Sequence, residues 1–269
     1  MDAWAGQLYD GEGRRVDVDD AAALMARADV VLFGELHGNQ AVHALERAIA
    51  QELLRLRGRD LVLGAEMFEA DDQLVVDEYL AGLILHHHLT SESKIWSNYE
   101  TDYRPLIELA KSAGLAFVAT NVPRRYANLV AREGLGALDR LGEEARRYLA
   151  PLPIRFDLDV PGYREMLEMD LPMRPGMKPA PENMVAAQAV KDATMAHFIS
   201  RHVSPGSLFL HFNGDFHTQR RGGICWFLAR SFPQLRIVTV SSIMGDPSGF
   251  DDGHRALADL VFVVPLPRA

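Results

Sequence analysis

Two segments about 180 residues apart carry the same arrangement of ionisable residues. The first is Gly34-Glu35-Leu36-His37, which follows the apolar run Val30-Val31-Leu32-Phe33. The second is Gly214-Asp215-Phe216-His217, which follows Leu208-Phe209-Leu210-His211-Phe212-Asn213. Each reads glycine, carboxylate, apolar, histidine. A carboxylate beside an imidazole can hold it in one tautomer while the ring takes a proton from water, which is acid–base hydrolytic chemistry. Glu66, after the run Leu61-Val62-Leu63-Gly64-Ala65, is a third carboxylate in the same position. Glu35, His37, Glu66 and His217 are therefore the candidate catalytic residues. With Asp215 they also form a candidate ligand set for zinc, manganese or iron. The same groups could hold the polar parts of a ligand without chemistry, or form a buried network that only specifies the fold. Residue type and spacing leave these alternatives open.

These residues need elements that bring them together. The three apolar runs read as short buried strands, rich in β-branched and aromatic residues. From Gln40, Val42, Leu45, Ile49, Leu53 and Leu56 fall at helical spacing, and Gly58 stops the helix. His43 and Glu46, three apart, share a face next to the apolar one. Leu115 to Thr120 reads as a third strand in chain order, ending in Asn121-Val122-Pro123. Arg124, Arg125 and Tyr126 then fall in the first turn of a helix, where they suit a carboxylate or phosphate. Further helices are expected at 21–28, 134–150, 182–203 and 224–230, and further strands at 235–240 and 260–264. On the 182–203 helix, Gln188 and Asp192 interrupt a stripe otherwise fit for burial, so both are expected to face the site or a polar network. Strands alternate with helices, and the strands are continuous apolar runs. The fold class is α/β, a mainly parallel sheet with helices on both faces. Residues 1–269 read as one domain. It carries a Pro- and Met-rich helical and loop insertion at about 151–181, with a helix at 160–170. His86-His87-His88 reads as a loop that could contribute one or two metal ligands.

The composition narrows the classes. The chain is 48% hydrophobic, enough for a full core in 269 residues. A net charge of −9 without a Lys/Arg cluster argues against nucleic acid. Cys225 is the lone cysteine, which excludes an intrachain disulfide and any multi-cysteine metal site, and its apolar neighbours predict burial. No run is long enough for a transmembrane segment, and the amino end lacks the basic and apolar regions of a secretory signal. Nucleotide-binding glycine motifs and the G-x-S-x-G elbow are absent, which weakens nucleotide and serine-hydrolase readings.

Several segments together resemble the ChaN family. They are Gly34-Glu35-Leu36-His37-Gly38-Asn39 with His43, Glu66-Met67-Phe68-Glu69, and Trp96…Tyr99…Asp102-Tyr103-Arg104-Pro105. Asn121 to Tyr126, Gln188…Lys191-Asp192…Met195-Ala196 and Asn213 to His217 complete the set, so the resemblance covers about residues 30–240. ChaN proteins are iron-regulated, haem-binding and often lipoproteins, in a superfamily with Tiki/TraB and erythromycin-esterase-like proteins. The resemblance implies an α/β fold and a role in iron or haem uptake or handling. It also implies a homodimer with haem at its interface, a tyrosine on the iron and a histidine nearby. Tyr99, Tyr103 and Tyr126 are the candidate tyrosines, with Tyr103 and Tyr126 favoured. His43, Arg124, Arg125, Gln188 and Asp192 are the other candidate cofactor contacts. The paired G-x-x-H segments resemble those associated with metal-dependent hydrolysis in Tiki-like proteins, so a divalent transition metal is the alternative cofactor.

Overall fold

The computed structural model describes residues 5–168 and 180–266. Its strands are β1 (Gln7–Asp10), β2 (Arg15–Val16), β3 (Val30–Glu35), β4 (Leu61–Glu69), β5 (Phe117–Asn121), β6 (Leu208–Gly214), β7 (Ile237–Gly245) and β8 (Leu260–Pro265). They form one sheet in the order β2-β1-β8-β7-β3-β6-β4-β5. From β8 to β5 every pairing is parallel, while β1 runs antiparallel to both β2 and β8.

The apolar runs predicted as strands lie in the middle of this sheet because both of their faces are covered. In β3, Val31 and Phe33 pack into one core while Val30 and Leu32 pack into another on the opposite face. The first face is covered by α1 (Val18–Met25), α2 (Gln40–Arg57), α3 (Gln73–Leu80), α4 (His86–Glu92), α5 (Tyr99–Asp102) and α6 (Arg104–Ala113). The second is covered mainly by α7 (Arg124–Glu133), α10 (Pro181–His202) and α11 (Gly223–Ser231). The short helices α8 (Glu143–Arg146), α9 (Tyr163–Glu168) and α12 (Asp252–Arg255) sit in the connections. The chain moves outward from β3 through β4 to β5 with its helices on one face. It then returns through β6 to β7 with its helices on the other. A constant crossover handedness requires this change of face when the direction reverses. β6 is thereby placed between β3 and β4, and the ends of all three strands meet.

Local signals in the sequence explain the helix limits. The Asn39 side chain accepts from the N–H groups of Ala41 and Val42 and caps α2, and Gly58 ends it. α2 buries Val42, Leu45, Ile49 and Leu53, each stabilising the fold by about 1.5–3 kcal/mol. α6 stops at Gly114, whose φ of 65° is the left-handed conformation that glycine adopts without penalty. Pro181 opens α10 at its first turn, as a residue without a backbone donor can.

Residues 7–16, to which the residue pattern above assigns no element, form an edge hairpin turning at Asp10–Gly13. Three expectations are corrected. The helix expected over 134–150 is instead a 3-10 turn (Leu135–Arg140) followed by α8, broken where Gly134, Gly136 and Gly142 occur. His86 to His88 open α4 rather than lying in a loop. In the insertion, the helix expected over 160–170 spans Tyr163–Glu168, and 169–179 lie outside the described residues. Cys225 is buried as expected. Among the described residues no helix is long and apolar enough to cross a membrane.

Candidate functional site

β3 and β6 are parallel neighbours in register, with Glu35 beside Gly214 and Gly34 beside Asn213. The two repeated motifs are therefore adjacent, and each supplies the space the other needs. A methyl group on Gly214 would lie 2.7 Å from His37 Nε2. One on Gly34 would collide with Asp215 Oδ1 and lie 2.9 Å from the Val240 carbonyl oxygen. Each motif glycine thus leaves room for an ionisable residue of the other motif.

The joined strand ends form the floor of an open cleft of about 880 Å³. Glu35, His37, Glu66, Gln188, Asp215 and His217 line it, as do Glu69, Asn121, Arg124 and Lys191. Ile95, Trp96, Val122 and Phe216 supply its apolar surface. A volume of this size is in the range that takes a cofactor or a drug-sized ligand.

Two ionic arrangements lie in the floor. In the first, His217 is buried between two carboxylates. Its Nε2 is 3.1 Å from Glu66 Oε1, and its Nδ1 bonds to Asp192 Oδ1. Burial alone would lower the His217 pKa, but Glu66 and Asp192 outweigh it and push the value up to about 9. Burial would likewise raise Glu66, yet His217, Lys191 and the Gly214 N–H, which donates to Glu66 Oε2 at 2.8 Å, hold it well below the usual carboxylate range. His217 is thus an imidazolium at neutral pH with both nitrogens engaged. Asp192 also accepts the Tyr163 hydroxyl at 2.7 Å, which ties the insertion to the site.

In the second arrangement, His37 Nδ1 bonds to Glu35 Oε1 at 2.6 Å, and the imidazole meets Trp96 edge-on at 5.0 Å. Its side chain is 43% exposed. Burial lowers its pKa, but the Glu35 carboxylate prevails and raises it. Glu35 also accepts the Tyr103 hydroxyl at 2.7 Å. Beneath lies a buried group: His43 Nδ1 is 2.8 Å from Glu46 Oε2 and its Nε2 is 3.1 Å from Asp102 Oδ2. Burial and the nearby charges of Glu35 and Asp102 drive the Glu46 carboxyl well above its ordinary range.

The expected five-residue metal set is not assembled. Glu66 and His217 are engaged with each other, and Asp215 Oδ1 packs against Gly34. Burial raises the Asp215 pKa to about 6, outweighing the opposing influence of the nearby Ser241 hydroxyl and Ser242 backbone. Among the described residues, the group of three or more ligand atoms that lie within 4.8 Å of one another is that of Glu35, His43 and Glu46. His43 therefore lies under the cleft rather than on its wall. Tyr99 and Tyr103 are also buried, at 2% and 1% exposure, and the Glu35 carboxylate together with burial holds the Tyr103 hydroxyl firmly protonated. Tyr126 is half-buried, and its hydroxyl accepts from Arg125 at 3.3 Å. Neither arginine of that turn is free: Arg124 pairs with Glu69, and Arg125 pairs with Asp71 at 2.6 Å. Gln188 and Asp192 face the polar network from α10, Asp192 fully buried. Residue patterns do not single out Tyr163 as a partner of Asp192. Its only sequence signal is an aromatic residue in the insertion.

The fold is shared with solved structures. ChaN of Campylobacter jejuni, described with cofacial haem binding, superimposes with a TM-score of 0.72 at 17% identity, covering 97% of this chain and 98% of that one. The type III effector HopBA1 superimposes with a TM-score of 0.50 at 13% identity, covering 92% of each chain. No curated protein matches the chain. The sequence from residue 21 to 228, which contains both motif strands, α10 and every cleft residue named above, matches the family model described as haem-binding uptake, Tiki superfamily, ChaN, and the chain belongs to that family.

Proposed function

We propose that this chain binds haem at the cleft and acts in iron or haem uptake or handling. The observation that carries the reading is the family match over residues 21–228. The cleft's donor set fits such a ligand. His37 has one nitrogen held by Glu35 and a half-exposed ring, the arrangement that orients an imidazole toward iron. Tyr126, the half-buried one of the three candidate tyrosines, is the hydroxyl to test as a second iron donor. Trp96, Ile95, Val122 and Phe216 suit the apolar faces of a macrocycle, and Lys191 suits its carboxylates. When bound, haem would supply an iron centre that accepts nitrogen and oxygen donors. The chain's own residues would orient it and neutralise its carboxylates. A planar ligand against one wall of an open cleft leaves its other face uncovered, so we further propose that a second copy of the chain covers it.

A hydrolytic reading of Glu35, His37, Glu66 and His217 is not favoured by the family match. His217 is unsuited to be its base, because an imidazolium with both nitrogens engaged has no lone pair to accept a proton from water; that role would fall to His37.

The test is a haem titration followed by the Soret band, with sedimentation of the same samples. Saturable binding, weakened in His37→Ala or Tyr126→Phe and accompanied by a doubling of mass, is the expected result. A spectrum identical to free haem at every ratio would reject the proposal. A Δgene strain that grows normally on haem as the sole iron source would reject the uptake role.

A further inference from the structure

The group beneath the cleft has a feature that the haem reading does not use. Glu35, His43, Glu46 and Asp102 are 2%, 6%, 0% and 3% exposed, and they come from three different elements. Three carboxylates and one imidazole share a space closed to water. Two oxygens in it, Glu35 Oε2 and Glu46 Oε1, are buried and have no hydrogen-bond partner among the described residues. A buried carboxylate oxygen without a partner carries a large desolvation penalty. Both oxygens belong to the carboxylates that flank His43 Nδ1, which is 3.9 Å from Glu35 Oε2 and 2.8 Å from Glu46 Oε2.

We infer that Glu35, His43 and Glu46 form a buried site for one divalent transition-metal cation, distinct from the haem site above it. Their ligand atoms lie within 4.8 Å of one another, so a cation at about 2.0–2.2 Å from each is within reach of small side-chain adjustments. A cation of charge +2 balances the Glu35 and Glu46 carboxylates, and the Asp102 carboxylate faces the imidazole. Nitrogen and oxygen donors in a dry space suit zinc, manganese or iron(II).

The surroundings match what a metal-bound histidine needs. His43 Nε2 accepts from the Gly38 N–H at 3.2 Å and stands 3.1 Å from Asp102 Oδ2; with a metal on Nδ1 it would carry the proton and donate to Asp102, giving up the Gly38 contact. Asp102 is itself fixed by Gln40 at 3.1 Å, Asn98 at 2.7 Å and Thr101 at 2.7 Å. Glu35 turns its other oxygen toward the Tyr103 hydroxyl and His37, leaving Oε2 free for the cation. The site would therefore set the position of Glu35 and, through it, of His37 in the cleft.

The competing arrangement is a proton shared between Glu35 and Glu46, and metal content distinguishes the two. Haem-free protein purified without chelator is analysed for metals. A chelator-stripped sample is then titrated with zinc and with manganese while thermal unfolding is recorded. We expect about one equivalent of metal per chain, a rise in Tm of the stripped protein on adding one of these ions, and affinity weakened at least about tenfold in Glu46→Gln. Metal below a tenth of an equivalent together with a Tm indifferent to both ions overturns the site in favour of the shared proton. Wild-type affinity in a folded Glu46→Gln also overturns it. The wild-type titration decides the matter even if the variant fails to fold. The Soret titration on the same samples reports the haem proposal separately, so either can fail alone.

Discussion

Asp192→Asn tests the ionic arrangement that fixes β6 to α10. His217 is buried between Asp192 and Glu66, and its pKa stands at about 9 against an ordinary 6.5. At about 1.4 kcal/mol per tenfold, the imidazolium contributes about 3 kcal/mol to the folded state. Because the folded pKa is raised, this contribution is fully present below pH 6.5 and is lost as the pH climbs through 9. Asparagine keeps the shape of Asp192 but removes one of the two opposing charges, so desolvation of His217 is no longer outweighed. Removing one partner of a buried pair costs about 3–5 kcal/mol. We expect Asp192→Asn to lose about 2–4 kcal/mol at pH 7. We also expect the decline of stability between pH 6.5 and 9 to flatten. Urea unfolding of both proteins at intervals from pH 5.5 to 9.5 gives both quantities. A variant within about 0.5 kcal/mol of wild type at pH 7, the size of an ordinary surface substitution, would refute the reasoning. So would two pH profiles with the same slope.

Other expectations follow from the same geometry. Glu66 has a depressed pKa, so its contribution is present above 4.5 and is lost as the pH falls. With His217, this places the stability maximum between about pH 4.5 and 6.5, and a maximum above pH 8 would contradict it. Gly214→Ala should displace the half-exposed His37 ring and weaken haem binding at little cost in stability. Unchanged titration of that variant would exclude His37 as a donor. Tyr163→Phe should cost about 1–2 kcal/mol by removing a buried hydrogen bond to a charged group, read as a shift of the urea midpoint with unchanged slope. Lys191→Met should weaken haem binding but leave metal content unaltered, measured on one preparation.

The parts of this fold that the sequence announces are those governed by neighbours along the chain. Asn39 and Gly58 bracket α2, and the apolar runs at 30–33, 61–65 and 208–213 are strands because their residue types suit two-sided burial. The likeness of the two G-[ED]-[LF]-H segments correctly indicated that they meet. Their orientation was not readable, because which carboxylate bonds which imidazole depends on strand register. His217 takes Glu66 and Asp192 from other elements, while His37 takes Glu35 from its own strand. Tyr103 has the composition of an iron ligand, and only its placement under Glu35 removes it from the cleft. Arg124 and Arg125 look like free cations until Glu69 and Asp71 are brought beside them across more than fifty positions. The helix proposed over 134–150 failed for a local reason: three glycines lower helix propensity where apolar spacing still suggests it.

The placement of β6 between β3 and β4 also constrains the order of events during synthesis. Residues 30–121 leave the ribosome with β3 and β4 already made but one strand apart, roughly 10 Å at ordinary strand spacing. Both then present open edges, and Glu66 has neither its histidine nor the Gly214 N–H. Nearly a hundred further residues must emerge before the gap can close. The cleft therefore cannot form on a partly made chain, and a nascent chain halted before residue 208 would carry two adhesive strand edges of the kind that pair with other chains.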